Sequence, residues 1–388
     1  MWKRCPRALT VLPAPHLASL GLLLLPHPLS SHAPAPRGQA PDTPAAQERA
    51  HAASAHAGDP APPRLPSASP LIDVRVRAAD REFEIVVGPV SLPAGGPHLR
   101  PPVQLAELPV AGWMHGFSWR MRDREGNRLP DRLLHHVNVI DPDNRELFSA
   151  VPRRILAAGR ETKSEFLPGV LGVPLAPGTR VLVSAMFAPL PEASHDEAFL
   201  HIRLPYTPFD DPGLVEPVDV YPFYLDVMGP VGEKEFPLPP GTHGSSWEGS
   251  PAVDGRILAV GGHLHDYGEW IRLEDVTAGK VIWEMEPEVD GEGRTVGVPT
   301  SRLWWRGGVR IRKSHVYRIS VQYSNPLGHP APDGAMGAIG GIIVARDEDW
   351  REFSREHPDY VQDLRNTLEK PNEAGQAHGH ASRSNGGS

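Results

Sequence analysis

Three short stretches bring together side chains that can hold a metal ion. They are His135-His136, His263-Leu264-His265, and Met336 within Asp333-Gly334-Ala335-Met336-Gly337-Ala338-Ile339-Gly340-Gly341. On a β-strand, residues two apart project from one face, so His263 and His265 can bind one ion together. His135 and His136 would point to opposite faces of a regular strand, and sharing an ion would need a strand end or a bulge. Spacing alone says little: with 19 histidines in 388 residues, chance supplies roughly one pair at any fixed spacing. His378-Gly379-His380 repeats the pattern in a tail of disordered composition.

Context separates the second pair from chance. It follows Ile257-Leu258-Ala259-Val260-Gly261-Gly262, an apolar strand that turns glycine-rich where room is needed. A methionine used for core packing usually has bulky apolar neighbours, whereas Met336 is left bare by glycine and alanine. Two imidazoles and a thioether suit a soft ion such as copper better than calcium or magnesium. Zinc held by the pair with Asp266 is a competing reading.

The elements that would position these residues read as short strands. Leu71–Arg77 alternates apolar and charged residues, as a half-buried strand does. Further strands are expected at Phe83–Val87, His136–Ile140, Val181–Phe187, Phe199–Leu204, Val218–Val227, Ile257–Val260, Trp270–Glu274, Val281–Met285, Val309–Arg312, Val316–Tyr323 and Ile339–Ala345. Asp275–Lys280 reads as a hairpin loop. Many short strands with Pro- and Gly-rich turns predict a mainly β protein. Trp350, Phe353, Val361, Leu364 and Leu368 predict short amphipathic helices interrupted at Pro358.

The expected organisation is a signal peptide over 1–33, an Ala/Pro-rich disordered linker over 34–70 and an N-terminal sandwich over 71–228. A C-terminal sandwich over 229–347, a helical segment over 348–370 and a disordered tail over 371–388 complete it. A basic start at Lys3, Arg4 and Arg7, followed by an apolar stretch ending at Leu22–Leu25, matches a secretory signal. Export to the periplasm, cell envelope or exterior is therefore expected, with no membrane span after cleavage. The single cysteine, Cys5, would leave with the signal, so any metal must be held by His, Met, Asp or Glu. A formal net charge of -8 argues against a nucleic-acid partner.

On Leu134-His135-His136-Val137-Asn138, Gly262-His263-Leu264-His265-Asp266-Tyr267-Gly268 and the segment around Met336, the chain resembles the copper type II, ascorbate-dependent monooxygenases. This is the family of peptidylglycine α-hydroxylating monooxygenase and dopamine β-monooxygenase. The resemblance spans most of residues 72–346 and keeps the order His-His, His-x-His, Met. It implies two tandem jelly-roll-like antiparallel β-sandwich domains with a copper in each. His263, His265 and Met336 would hold the second-domain copper, where O2 would hydroxylate a C–H bond of a small molecule or peptide, with ascorbate as reductant. His135 and His136 would hold the first-domain copper. The family's third histidine is missing there, so Met186 or His201 would have to complete the site; His195 is also near in sequence. Two other readings stand beside the enzyme: a non-catalytic copper-binding protein for carriage, storage or sensing, and a binding module without metal.

Overall fold

A computed structural model of the chain describes residues 63, 65, 71–162, 164–211, 215–347 and 349–369. The expected signal, the tail and nearly all of the linker lie outside the described residues. So do Cys5, His378 and His380.

The alternation at Leu71–Arg77 becomes the strand Ile72–Arg77, which pairs antiparallel with Glu82–Leu92. Glu82–Leu92 pairs in turn with His195–Pro208, the long strand of an eight-stranded sheet. A four-stranded sheet, in the order Gln104–Leu108, Thr179–Phe187, Leu134–Arg145, Pro152–Gly159, stacks on it. Phe83, Ile85, Val137, Val139, Val181, Val183, Leu200 and Ile202 meet between the two sheets and are buried. Each such side chain contributes about 1.5–3 kcal/mol of hydrophobic stabilisation.

A second sandwich follows. Its first sheet runs Tyr221–Asp226, Gly337–Ala345, Gly255–Leu264, Ser301–Arg302, with Val309–Ile311 also pairing to Gly255–Leu264. Its second runs Gly241–Gly249, Tyr317–Asn325, Gly268–Asp275, Lys280–Met285. Ile257, Val260, Leu264, Ile271, Leu273, Ile319, Val321 and Ile339 fill the space between them. The mainly β class and the pair of antiparallel sandwiches are as expected. One parallel pair departs from the rule, Val218–Asp219 with Leu171–Leu175.

The expected strand Val218–Val227 is split into Val218–Asp219 and Tyr221–Asp226, which belong to different sandwiches. Asp275 pairs with Lys280 across the expected hairpin. Pro358 does not interrupt a helix; it begins the helix Pro358–Glu369, where its missing N–H costs nothing. Tyr360 and Leu364 seat that helix on Val103, Ile140 and Leu182 of the first sandwich. A buried ion pair, Arg154 to Asp363 at 2.8 Å, fixes it further. Among the described residues no helix is long and apolar enough to cross a membrane.

Candidate functional site

The outer faces of two sheets look at each other across the contact between the sandwiches, and their small side chains leave a gap. In Gly255–Leu264 a bulge lies between Ile257 and Ala259. Beyond it Val260 and Leu264 point into the second core, and alternation turns Ala259, Gly261 and His263 outward. Gly337–Ala345 is the neighbouring strand, with Val260 opposite Gly341, Gly261 opposite Gly340 and His263 opposite Ala338. His136, Asn138, Ala157, Gly159 and Ser184 of the first sandwich face them. Between lies a cavity of about 370 Å³ lined by residues of both sandwiches, His263 and Met336 among them. Protein interiors are normally filled to crystal density, so a gap of this size between two sheets leaves room for a small molecule.

The register explains how the expected second-sandwich residues come together. Leu264 is opposite Gly337, so the next residues outward, His265 and Met336, lie beside one another across the two strands. Tyr323 ties them. Its hydroxyl oxygen accepts from the His265 amide at 3.0 Å and from the Met336 amide at 3.3 Å, and its O–H donates to the Met336 carbonyl. The rings of His263 and His265 stand at right angles with centroids 5.2 Å apart.

Hydrogen bonds orient each imidazole. His265 Nδ1 lies 2.9 Å from the Asp333 carbonyl, so it carries the proton and leaves the Nε2 lone pair free. His263 Nδ1 lies 2.6 Å from Glu161 Oε1. The Nε2 atoms of both rings are buried and have no hydrogen-bond partner. Burial, then the neighbouring His263, pushes His265 down to about 4, so its ring is neutral. Burial works against charge at His263 too, but Glu161 outweighs it and raises His263. Burial also favours the neutral acid at Glu161, yet His263 holds that carboxylate down at about 2. Gly159 makes this arrangement possible. A Cβ there would lie 2.6 Å from Glu161 Oε2, so a larger residue would displace the carboxylate from this position.

The first-sandwich pair arrives at the same place. His135 packs on His265, ring centroids 5.8 Å apart, and on His136 at 5.1 Å. On its other side His98 packs at 4.7 Å. Burial is the main cause that brings His135 down to about 3 and His136 well below its usual value, so both are neutral. Their Nδ1 atoms are buried without partners. Met186 is the cross-strand neighbour of His136, but its sulfur receives the Arg100 guanidinium at 3.3 Å. His201 is in the other sheet, where Glu84 takes its Nδ1 at 3.0 Å. Asp266, the expected zinc alternative, is occupied by Arg160 at 3.2 Å and the Thr295 amide at 2.9 Å. Glu161, His98 and Arg100 were not among the expected residues, because each reaches the site from a distant segment with no local motif.

No known protein family matches the chain, and no curated protein does either. Solved structures of similar architecture include PNGase F, a glycosylasparaginase from Flavobacterium meningosepticum. It has a TM-score of 0.35 and 11% identity over 69% of this chain and 96% of that one. PNGF-II gives a TM-score of 0.36 at 9% identity, covering 69% of this chain and 66% of that one. The major capsid protein P2 from bacteriophage PM2 gives 0.31 at 12% identity over 66% and 95%. Likeness at this level carries no activity from those proteins to this chain.

These findings correct the expected kinship with the copper monooxygenases. No family model matches the chain. Among the described residues no group of three or more His, Cys, Asp or Glu side chains could hold a metal ion. The physical reasons are visible in the first sandwich. Arg100 engages the Met186 sulfur and Glu84 engages His201, so neither completes a site with His135 and His136. His135 also abuts His265, so the two histidine pairs lie together and not in two separate sites. The oxidoreductase reading, with O2 and ascorbate, falls with the resemblance. So does the alternative of copper carriage, storage or sensing on that fold.

Proposed function

We propose that the gap between the sandwiches binds an organic ligand, and that His263, His265 and Met336 hold a soft or borderline transition-metal ion at its end. The buried, unpartnered Nε2 atoms of His263 and His265 carry this reading. A buried polar atom without a partner is costly, and a metal ion satisfies an imidazole lone pair directly, at His263 by displacing the Nε2 proton that Glu161 favours. Two imidazoles and one thioether contain only two side chains of the His, Cys, Asp and Glu types, so this set differs from the groups of three that are absent among the described residues. Glu161 supports His263 as carboxylates commonly support a metal-bound imidazole, by holding its Nδ1 proton. The ion would supply Lewis acidity toward one donor atom of the ligand. His135 would wall the site from the first sandwich. Export, expected from the N-terminal sequence, remains part of the proposal.

Metal content after loading with Cu(I) or Zn(II) and exhaustive dialysis tests it. One ion per chain in the wild type, lost in His265→Ala with the fold retained, is the expected result. Equal metal content in the two proteins would refute the assignment.

A further inference from the structure

The lining of the gap tells which ligand it takes. One side of it is apolar and lined by small residues, Ala259, Gly261, Ala338 and Gly340, with Ala157, Asn138 and Ser184 opposite. A Cβ added at Gly340 would meet no atom within 4 Å, so the missing side chain leaves open space inside the cavity. The charged groups along the walls are mostly neutralised in place. Glu161 faces His263, Arg154 faces Asp363, and Glu165 lies by Arg302. Arg100 differs. It lines the same cavity beside His136, and among the described residues its guanidinium has the Met186 thioether as partner and no carboxylate within ion-pair distance. A thioether is a weak acceptor, so the half-buried guanidinium keeps donors for an anion, and a guanidinium fork matches a carboxylate best.

We infer that the ligand is an elongated apolar carboxylate, an acyl-chain or aryl acid, with its carboxylate on Arg100 and its apolar body along the Gly340 side. This rests on reading the gap as a ligand site and adds the class of ligand. The apolar side of the gap favours the chain.

Titration of the full chain with dodecanoate, 1-dodecanol and dodecyltrimethylammonium, each with and without bound metal, tests the inference. Dodecanoate should bind best. Arg100→Gln should weaken dodecanoate about tenfold or more, the scale of one charge-assisted contact, and leave dodecanol unchanged. Gly340→Leu should abolish binding of both, whereas Gly340→Ala should leave it nearly intact. Thermal unfolding of each variant checks the fold, and the Arg100→Gln comparison decides alone if Gly340→Leu does not fold. Preference for the ammonium amphiphile, equal loss of dodecanoate and dodecanol in Arg100→Gln, or no binding to either form would overturn the inference. Metal bound at one per chain without dodecanoate binding defeats the ligand class only. Dodecanoate bound as expected by a chain that takes no metal defeats the metal centre only.

Discussion

Glu161 of the first sandwich and His263 of the second meet at 2.6 Å across the boundary between them. The carboxylate is almost wholly buried, and so is the imidazole nitrogen that points away from it. One contact thus joins the two sandwiches and fixes the tautomer of a candidate metal ligand. Removing the charge while keeping the shape, in Glu161→Gln, should lower metal affinity about 10–100-fold. Competition with a chelator of known affinity measures it. Unchanged affinity would mean that Glu161 serves the interface alone.

Tyr323 should matter to the same site without touching the ion. Its hydroxyl satisfies the amides of His265 and Met336 and the Met336 carbonyl. Tyr323→Phe strands those buried groups, at a cost of about 1–3 kcal/mol. Urea unfolding should show that loss in the metal-free protein, with a further drop in metal affinity because Met336 is no longer held beside His265. A stability loss with no change in affinity would separate the two roles.

The terminal helix should be held by one ion pair more than by its apolar contacts. Arg154 and Asp363 are both buried and 2.8 Å apart. Asp363→Ala leaves a buried guanidinium unpaired and should destabilise the fold by about 3–5 kcal/mol, whereas replacing both partners by apolar residues should cost far less. Chemical denaturation of the single and double variants distinguishes the cases. Equal losses would show that packing dominates.

Acid should weaken the first sandwich through Glu84. Burial would raise its carboxyl, but His201 at 3.0 Å and the Arg203 and Arg77 guanidinia at 3.3 Å outweigh that and hold it at about 2, below the ordinary 4.5. A folded value below the unfolded one gives stability that is present above about pH 4.5 and lost as pH falls toward 2. The contribution is on the order of 1–3 kcal/mol. Glu84→Gln should therefore be less stable at pH 7 and show a shallower fall in urea midpoint over that window. Parallel curves for the two proteins would contradict the assignment.

Strands with clean alternation, Ile72–Arg77 and Tyr317–Asn325, and the apolar run in Thr179–Phe187 were legible in the sequence and form close to their expected bounds. Others carry no such pattern. Gly241–Gly249 is Gly-Thr-His-Gly-Ser-Ser-Trp-Glu-Gly, an edge strand paired on one side only, where little apolar surface is needed. Pro152–Gly159 carries two arginines after its first residue, and Arg153 is buried against Asp141 at 2.8 Å, a partner no local pattern announces. At the site, period-two geometry places His263 and His265 on one face, but the meeting of His265 with Met336 depends on a register set by pairing across distant strands. Glu161, His98 and Arg100 depend wholly on how the sandwiches pack, and sequence spacing holds no signal for that.

X-ray absorption at the metal edge of the Cu(I)-loaded chain tests the central assignment most directly, because it counts sulfur and nitrogen donors around the ion. One sulfur with two imidazole nitrogens is expected, and loss of the sulfur alone in Met336→Ile. A spectrum without sulfur, or one that Met336→Ile leaves unchanged, would place the ion elsewhere and contradict the His263, His265 and Met336 centre.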